Sequence, residues 1–289
     1  MRGLFVSNAY LEGEKHRQPW EMMLSSARRA GIGLDMMTNA DLMLPAGDRE
    51  KLRRIAGDPD FVIFWDKDVR CAANLEACGM RVFNASECIR VCDDKWLTHL
   101  ALASAGVKSI ETLSCPLSFY AYPDLGFLGR AEDILGFPMV VKDCFGSFGM
   151  QVSLVRDMEE LERAFSGPYV PRILQRYVEC GGRDVRVEVV GGEAVAAMER
   201  QAPEGEFRSN ATLGGSIVGR SPTIEEAEIA VRACEAVGAD FAGVDIIMTS
   251  DGPAVCEVNS NAHLRNLLDC TGVDASEIIL RHIISEVSR

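Results

Sequence analysis

The stretch "GPAVCEVNSN", residues 252–261, runs from an apolar, strand-like segment straight into polar side chains. Asparagine is poor in strands and an unpaired glutamate is costly to bury, so the strand itself needs neither Glu257 nor Asn259. Shortly before, "FAGVDIIM", residues 241–248, carries Asp245 inside another apolar run. Two short strands that each hold an inward acid predict a site for cations. A polar end to two edge strands is the alternative that the residues alone leave open.

The composition is that of a soluble globular protein. The 289 residues are 47% hydrophobic and 25% charged, enough for a large core and two or three packed subdomains. The net charge of −13 argues against a nucleic-acid surface, which would need a basic stripe. No apolar stretch approaches the roughly 18 residues of a membrane span, and "MRGLFVSNAY", residues 1–10, predicts a strand rather than a signal peptide. We therefore expect a cytoplasmic protein without nucleic-acid or membrane partners.

The ten cysteines are scattered through strand and helix patterns. Together with the chain length, this scatter favours reduced thiols over a disulfide framework. One loose cluster lies between residues 71 and 92, but it contains no CxxC pair and no nearby histidine, which argues against zinc. We expect these side chains to act as small buried hydrophobes.

Strand and helix patterns divide the chain into three α/β segments, 1–92, 93–176 and 177–289. The first alternates apolar strands with amphipathic stretches, which predicts a small parallel α/β domain. Residues 91–107 predict a single helix that Asp93 caps. Later segments predict a strand pair around "CFGSFG", a second pair joined by a tight glycine turn, a loop from Pro203 to Gly219, and two further helices.

Lysine is scarce, with only six in the chain, so the position of each is informative. Lys95 falls in the first turn of its predicted helix, where a capping cluster with the preceding aspartates is the alternative reading. Lys142 ends an apolar run on a core-facing side, where a lysine either snorkels out or meets an anion. Gly146 and Gly149 then bracket a serine between two strands, which leaves backbone amides free to approach an anion. Lysine, glycine loop and distant acids together fit a triphosphate with its metal ions.

In these stretches the sequence resembles the ATP-grasp superfamily, and within it the RimK-like α-L-glutamate ligases. The resemblance covers roughly residues 90–272 and rests on ordered motifs: "DDKWLTHLALASAGV", "PMVVKDCFGSFGMQV", "ILQRYVECGGRDVRV", "ERQAPEGEFRSNATLGG", "AGVDII" and "CEVNSN". It implies a mixed α/β fold, the ATP-grasp fold, preceded by a parallel α/β pre-grasp domain at 1–92. The segments 93–176 and 177–289 would be the central and carboxyl-terminal ATP-grasp subdomains.

The resemblance also implies roles for individual residues. The positions that would bind the nucleotide, from the phosphates to the adenine hinge and the ribose, are Lys95, Lys142, Gly146, Ser147, Gly149, Gln175, Arg176, Tyr177, Val178 and Asp184. Those that would face the phosphate and acyl substrate are Arg200, Arg208 and Asn210. Those that would bind metal are Asp245, Glu257 and Asn259. Two carboxylates and an amide carbonyl are hard oxygen ligands suited to Mg²⁺.

The activity implied by the resemblance is ATP-dependent carboxylate–amine ligation through an acyl phosphate, with two Mg²⁺ ions and Mn²⁺ as the alternative metal. Its partners would be an amino acid, with glutamate as the best guess, and a small-molecule or peptide carboxylate acceptor. A small-molecule kinase on the same fold and a non-catalytic nucleotide-binding regulator are the other two hypotheses. The sequence leaves open the identity of the acceptor and whether the chain forms a homo-oligomer.

Two features bear on the acceptor side. After the predicted metal ligand, the chain reads "NSNAHLRN", residues 259–266, where members that modify a ribosomal protein have a smaller, proline-containing segment. In addition, "WDKD", residues 65–68, and "FNAS", residues 83–86, end strands of the first domain. Such strand ends border ligand clefts in open parallel sheets, although ordinary loop caps explain them as well.

Overall fold

The amino-terminal part is a parallel four-stranded sheet with helices, which confirms the predicted α/β pattern. In the computed structural model, which describes residues 1–146, 149–209, 214–261 and 264–289, its strand order is β2-β1-β3-β4. The strands are β1 (Arg2–Ser7), β2 (Gly33–Thr38), β3 (Phe61–Phe64) and β4 (Val82–Phe83). The helices are α1 (Glu14–Arg29), α2 (Arg49–Ala56), α3 (Val69–Ala77) and α4 (Ser86–Asp93). Because the neighbouring strands are parallel, the carboxyl ends of β1 and β3 lie at one edge.

The central part is an antiparallel sheet with the order β5-β8-β6-β7. Its strands are β5 (Thr112–Ser114), β6 (Met139–Asp143), β7 (Val152–Val155) and β8 (Arg172–Arg176). Its helices are α5 (Lys95–Ser104), α6 (Phe127–Leu135) and α7 (Met158–Ala164). The strand pair predicted around the glycine loop is β6 with β7, where Lys142 lies opposite Val152.

The carboxyl-terminal part is an antiparallel sheet with the order β11-β10-β9-β12-β13. Its strands are β9 (Arg183–Val190), β10 (Glu193–Gln201), β11 (Ser216–Arg220), β12 (Phe241–Thr249) and β13 (Gly252–Asn259). Its helices are α8 (Ile224–Val237), α9 (Leu264–Thr271) and α10 (Ala275–Val287). Strand β11 corrects the predicted loop, which extended to Gly219, because the strand begins at Ser216. The three sheets fall one into each predicted segment, while the domain boundaries themselves stay a prediction.

The helix predicted within residues 91–107 is confirmed as α5, but its predicted cap is wrong by one residue, because the chain breaks between α4 and α5. Asp94 has an extended backbone (φ −92°, ψ 108°), and its Oδ1 accepts from the N–H groups of Trp96 at 2.9 Å and Leu97 at 3.3 Å. Asp94, not Asp93, is therefore the N-cap of α5. Asp93 ends α4 and accepts from Lys67 Nζ at 2.6 Å. The break makes Lys95 the first residue of α5.

The first sheet packs against the third through a shared apolar core that includes Phe5, Ile63 and Phe241. Asn84 fastens this junction: its Nδ2 donates to the carbonyls of Phe241 at 2.8 Å and Ser260 at 3.0 Å, while its Oδ1 accepts from the N–H of Asp240 at 2.8 Å. Asn84 is fully buried, so its role is to satisfy backbone groups at the junction. The "FNAS" strand end therefore serves the fold rather than the acceptor.

Candidate active site

One cavity of about 1040 Å³ is lined by residues from all three sheets. Pockets for one small ligand span about 300–1,000 Å³, so this cavity has room for a nucleotide and part of a second substrate. Every predicted site residue that the structure describes lines it: Lys95, Lys142, Gly146, Gly149, Gln175, Arg176, Tyr177, Val178, Asp184, Arg200, Arg208, Asp245, Glu257 and Asn259. Ser147 and Asn210 lie outside the described residues.

The floor of the cavity is a row of charged side chains across the third sheet. Asp245 lies opposite Glu257 on one neighbouring strand and opposite Arg186 on the other. Arg186 donates to both Asp245 oxygens, at 2.6 and 2.7 Å, and Arg200 Nη2 lies 3.1 Å from Oδ2. Burial opposes ionisation of Asp245, but the two guanidinium groups outweigh it and lower the pKa of that carboxyl. Arg200 is in turn held by Asp184, which accepts its Nε at 2.6 Å.

The donor set fits a hard divalent cation. Asp245 and Glu257 are cross-strand partners on one sheet face, and Asn259 Nδ2 lies 3.4 Å from Asp245 Oδ2. Carboxylate and amide oxygens are what Mg²⁺ prefers. Over the described ranges no group of three or more His, Cys, Asp or Glu side chains is placed to hold an ion alone, so the amide or a ligand oxygen must complete any site. A cation would also compete with Arg186 and Arg200 for the Asp245 carboxylate.

Two lysines face this acidic row. Lys95 Nζ lies 3.7 Å from Glu257 Oε1 and donates to the Gly146 carbonyl at 3.3 Å. Lys142 is only 9% exposed, and its Nζ lies 3.5 Å from Cys256 Sγ. Within the described part of the chain Lys142 forms no ion pair with a carboxylate, which is costly for a buried ammonium. An anionic ligand in the cavity would supply the missing partner.

Two of the four residues of the predicted adenine hinge, Gln175 and Arg176, lie at the end of β8. The buried Gln175 side chain donates to Thr112 Oγ1 at 2.9 Å and contacts His99 Nε2 at 3.0 Å. The Arg176 N–H donates to the Glu111 carbonyl at 2.9 Å, and its guanidinium contacts the Glu111 carboxylate at 2.6 Å. Both residues are thus engaged in holding β8 against β5. Tyr177 and Val178 follow β8 and line the cavity.

Arg208 connects the segment after β10 to the glycine loop. Its Nη1 donates to the Gly149 carbonyl at 2.7 Å, and its Nη2 donates to Glu206 Oε2 at 2.7 Å. Gly149 has φ +71°, a left-handed conformation that favours glycine. Arg208 therefore lies beside the loop, whereas Arg200 is buried in the sheet between two aspartates.

The roles that the resemblance implies do not include three further residues at this site. Arg186 holds Asp245 through two hydrogen bonds. His99 packs beneath Lys142, and burial together with that lysine's charge lowers the pKa of His99 to about 4, so it stays uncharged. The sequence could have indicated His99, because it lies one helical turn after Lys95 and therefore on the same face of the helix. Glu188, two residues after Arg186 on the same sheet face, is the third.

Glu188 carries a buried carboxyl beneath the charged row. It is 1% exposed, faces Gly243 and Ala196 on the adjacent strands, and its Oε1 has no hydrogen-bond partner within the described residues. Burial raises the pKa of Glu188 to about 7, with Arg186 opposing the shift and Asp245 adding to it. The carboxyl therefore stays protonated in the folded protein at mildly acidic pH.

This raised pKa predicts a stability slope. Between about pH 4.5 and pH 7 the unfolded chain loses the Glu188 proton and the folded chain keeps it, so the free energy of unfolding should fall by about 3 kcal/mol across that window. Glu188→Gln should remove this slope, as urea unfolding of both proteins at several pH values would show. Glu199→Gln, on the neighbouring strand and partly exposed, is the matched control. Parallel pH profiles for wild type and Glu188→Gln would contradict the assignment.

Comparison with known proteins decides the family. A family model described as the RimK-like ATP-grasp domain matches residues 92–283, well over half of the chain. The chain belongs to the RimK-like ATP-grasp family. It is therefore an ATP-dependent ligase with a mixed α/β fold, as the resemblance implies. ATP and a divalent metal are what this RimK-like ATP-grasp fold generally binds.

Two relatives and one solved structure illustrate what the chain is similar to. A probable alpha-L-glutamate ligase of Hahella chejuensis is 36% identical over 216 residues, covering 73% of this chain and 69% of the relative. The human N-acetylaspartylglutamate synthase A is 32% identical over 224 residues, 76% of this chain and 56% of the relative. The crystal structure of a RimK domain ATP-grasp protein from Sphaerobacter thermophilus matches with a TM-score of 0.73 at 20% identity, covering 98% and 99% of the two chains. In the protein described here, no helix among the described residues is long and apolar enough to cross a membrane.

Proposed function

We propose that this chain joins an amino acid, with glutamate the best candidate, to a carboxylate-bearing acceptor, using ATP and an acyl-phosphate intermediate. Glutamate is supported by the names of the Hahella and human relatives, both of which refer to it. A cytoplasmic location without nucleic-acid or membrane partners belongs to the same proposal, on the strength of the composition and the charge of −13.

The observation that carries this proposal is the pairing of an uncompensated lysine with an acidic row across one cavity. Lys142 is buried without a carboxylate partner among the described residues, while Asp245 and Glu257 lie on the facing sheet. A polyphosphate with bound cations is complementary to both walls at once: its oxygens suit the lysines and its cations suit the acids.

Each part of the cavity then has a task. Lys95 and Lys142 would bind phosphate oxygens, and Tyr177 with Val178 would present backbone groups to the adenine edge. Asp245, Glu257 and Asn259 would hold the metal, which we infer to be two Mg²⁺ ions. When bound, Mg²⁺ neutralises phosphate charge and so favours attack by an anionic carboxylate.

The reaction has two steps in this proposal. The acceptor carboxylate oxygen attacks the γ-phosphorus, the bond to the β-phosphate oxygen breaks, and ADP leaves. The amine nitrogen then attacks the acyl carbon, phosphate departs, and the nitrogen loses a proton to give the amide. No side chain needs to form a covalent bond with substrate. Arg208, beside the glycine loop, is placed to donate hydrogen bonds to the developing oxyanion.

The direct test is a screen for ADP release with pools of carboxylates and amines, followed by mass spectrometry of the products. We expect ADP release that depends on both a carboxylate and an amine, with an amide as the product. A stable phosphorylated product that never becomes an amide would establish the small-molecule kinase instead. Nucleotide binding without turnover on any pool would favour a regulator.

Arg208→Ala should separate amide formation from ATP use. A donor to a developing oxyanion contributes on the order of 3 kcal/mol, so amide formation should fall by about a hundredfold. Nucleotide affinity should change far less, and ADP formation should persist as uncoupled hydrolysis because the acyl phosphate is poorly held. The measurement is the ratio of amide to ADP formed by wild type and variant with the same substrates.

Arg163→Ala is the matched control, since Arg163 forms a similar pair with Glu159 on α7, at 2.7 Å, away from the cavity lining. Its amide to ADP ratio should equal that of wild type. If Arg208→Ala instead abolishes ATP binding, Arg208 belongs to the phosphate site and the placement is wrong.

A further inference from the structure

The carboxylate of Asp66 lies at the carboxyl end of β3 and lines the active-site cavity from the first domain. Asp66 is buried, with 6% of its surface exposed. Asn8 Nδ2 donates to both of its oxygens, at 3.2 and 3.1 Å, and the N–H of Lys67 donates to Oδ1 at 2.7 Å. Both donors, the side-chain amide of Asn8 and the backbone N–H of Lys67, are uncharged. They hold the carboxylate in position without neutralising it.

Asp66 differs in this from the other acids of the cavity. Each of the others has a cationic partner: Asp143 with Arg172, Asp184 with Arg200, Asp245 with Arg186, and Glu257 with Lys95. Among the described residues no lysine or arginine pairs with Asp66, and the adjacent Lys67 ammonium is directed to Asp93 at 2.6 Å. Burial raises the pKa of Asp66, and the nearby charges of Asp68 and Asp93 add to this.

A buried carboxylate without a counter-charge is costly unless a ligand supplies one. A metal ion is a poor match, because Asp66 and the neighbouring acids do not form a metal-binding group within the described ranges. An ammonium group is a good match, since it carries a single positive charge and three N–H donors for the free lone pairs. Arg17 and Arg265 line the same cavity, and Arg265 is paired with Asp269 at 2.8 Å.

We propose that Asp66, with its carboxylate oriented by Asn8, is the subsite that binds the ammonium group of the incoming amine substrate. This rests on the proposed ligase function and specifies it: the second substrate is a primary amine that binds as the ammonium ion. It releases one proton to solvent before its nitrogen attacks the acyl carbon. In this proposal the end of strand β3 in the first domain selects the amine, and the other two sheets bind ATP.

The test compares binding of L-glutamate and of glutarate, which lacks the amine, by ligand-observed NMR in the presence of a non-hydrolysable ATP analogue and Mg²⁺. Wild type should bind L-glutamate about 10–100-fold more tightly than glutarate, the range for a hydrogen bond to a charged group. Asp66→Asn keeps the shape and removes the charge, so it should bind both probes equally weakly. Asp68→Asn is the matched control, because Asp68 caps α3 outside the cavity lining and asparagine still caps.

A second measurement separates this subsite from the ligase function itself. Hydroxylamine is uncharged at neutral pH and traps acyl phosphates as hydroxamates, so it does not need an ammonium subsite. Asp66→Asn should form hydroxamate at the wild-type rate, with unchanged affinity for the ATP analogue, while losing amide formation with L-glutamate. If it binds and uses L-glutamate as wild type does, the subsite is wrong and the function stands. If wild type forms no hydroxamate, the proposed function fails, and the binding comparison alone decides the subsite.

Discussion

Glu257→Gln should reduce turnover by about 10²–10³-fold and leave the melting temperature unchanged. Glu257 is half-buried, and its contact with Lys95 spans 3.7 Å, a pair of the kind that contributes at most about 1 kcal/mol to stability. The stability of the fold therefore does not depend on the charge of Glu257, whereas metal binding at this site does. ADP formation as a function of Mg²⁺ concentration, together with thermal unfolding of wild type and variant, measures both quantities.

Asp245→Asn should behave differently, although both acids are proposed to hold the same metal. Asp245 is buried between Arg186 and Arg200, so removing its charge leaves two guanidinium groups uncompensated. Breaking such a buried network costs about 3–5 kcal/mol, and this variant should lose stability as well as turnover. Asp251→Asn, in the exposed turn between the same two strands, should lose neither. Near-normal Mg²⁺-dependent activity of Glu257→Gln would refute the metal assignment.

Lys142→Met should weaken binding of ATP analogues by about 10–100-fold, since it removes a charge-assisted contact to phosphate and keeps the apolar stem. The free protein should become more stable, by on the order of 1 kcal/mol, because the buried ammonium has no carboxylate partner within the described residues. Titration calorimetry with a non-hydrolysable ATP analogue and thermal unfolding without ligand give the two values.

Lys108→Met is the control for Lys142→Met, which is expected to weaken nucleotide binding while it raises stability. Lys108 is exposed, donates to Thr249 Oγ1 at 3.2 Å and to the Asp251 carbonyl at 2.7 Å, and lies outside the cavity lining. Its replacement should leave nucleotide affinity unchanged and should not raise stability. Unchanged nucleotide affinity in Lys142→Met would remove the observation on which the proposed function rests.

Much of the fold follows from local pattern. The apolar runs of β1, β3, β12 and β13 are long enough to identify. Asp245 and Glu257 stand out in two of them, because an apolar strand has no structural need for an acidic side chain. Helix α8 has a complete capping box between Thr223 and Glu226, and the signals for its ends are local. These features depend on a few adjacent residues, which is why the sequence alone reveals them.

The features that the sequence does not reveal depend on partners far along the chain. Strand β2 is an edge strand with a mixed burial pattern, so it shows no clear period. The break at Asp94 is hidden because the residues on both sides favour helix, and only the extended backbone at that position shows which aspartate caps. The ion pair of Arg186 with Asp245 joins β9 to β12, two strands that no local pattern brings into register. The same holds for Asp66, whose lack of a counter-charge is visible only in three dimensions.

The most direct test of the central claim follows an oxygen atom. With an acceptor whose carboxylate is labelled with ¹⁸O, attack on the γ-phosphorus and later loss of phosphate must carry one carboxylate oxygen into inorganic phosphate. The acyl-phosphate mechanism predicts one ¹⁸O atom in each phosphate released per amide formed, measured by mass spectrometry. Amide formation with unlabelled phosphate would contradict the acyl-phosphate mechanism, and a stable phosphorylated acceptor without amide would contradict the ligase function.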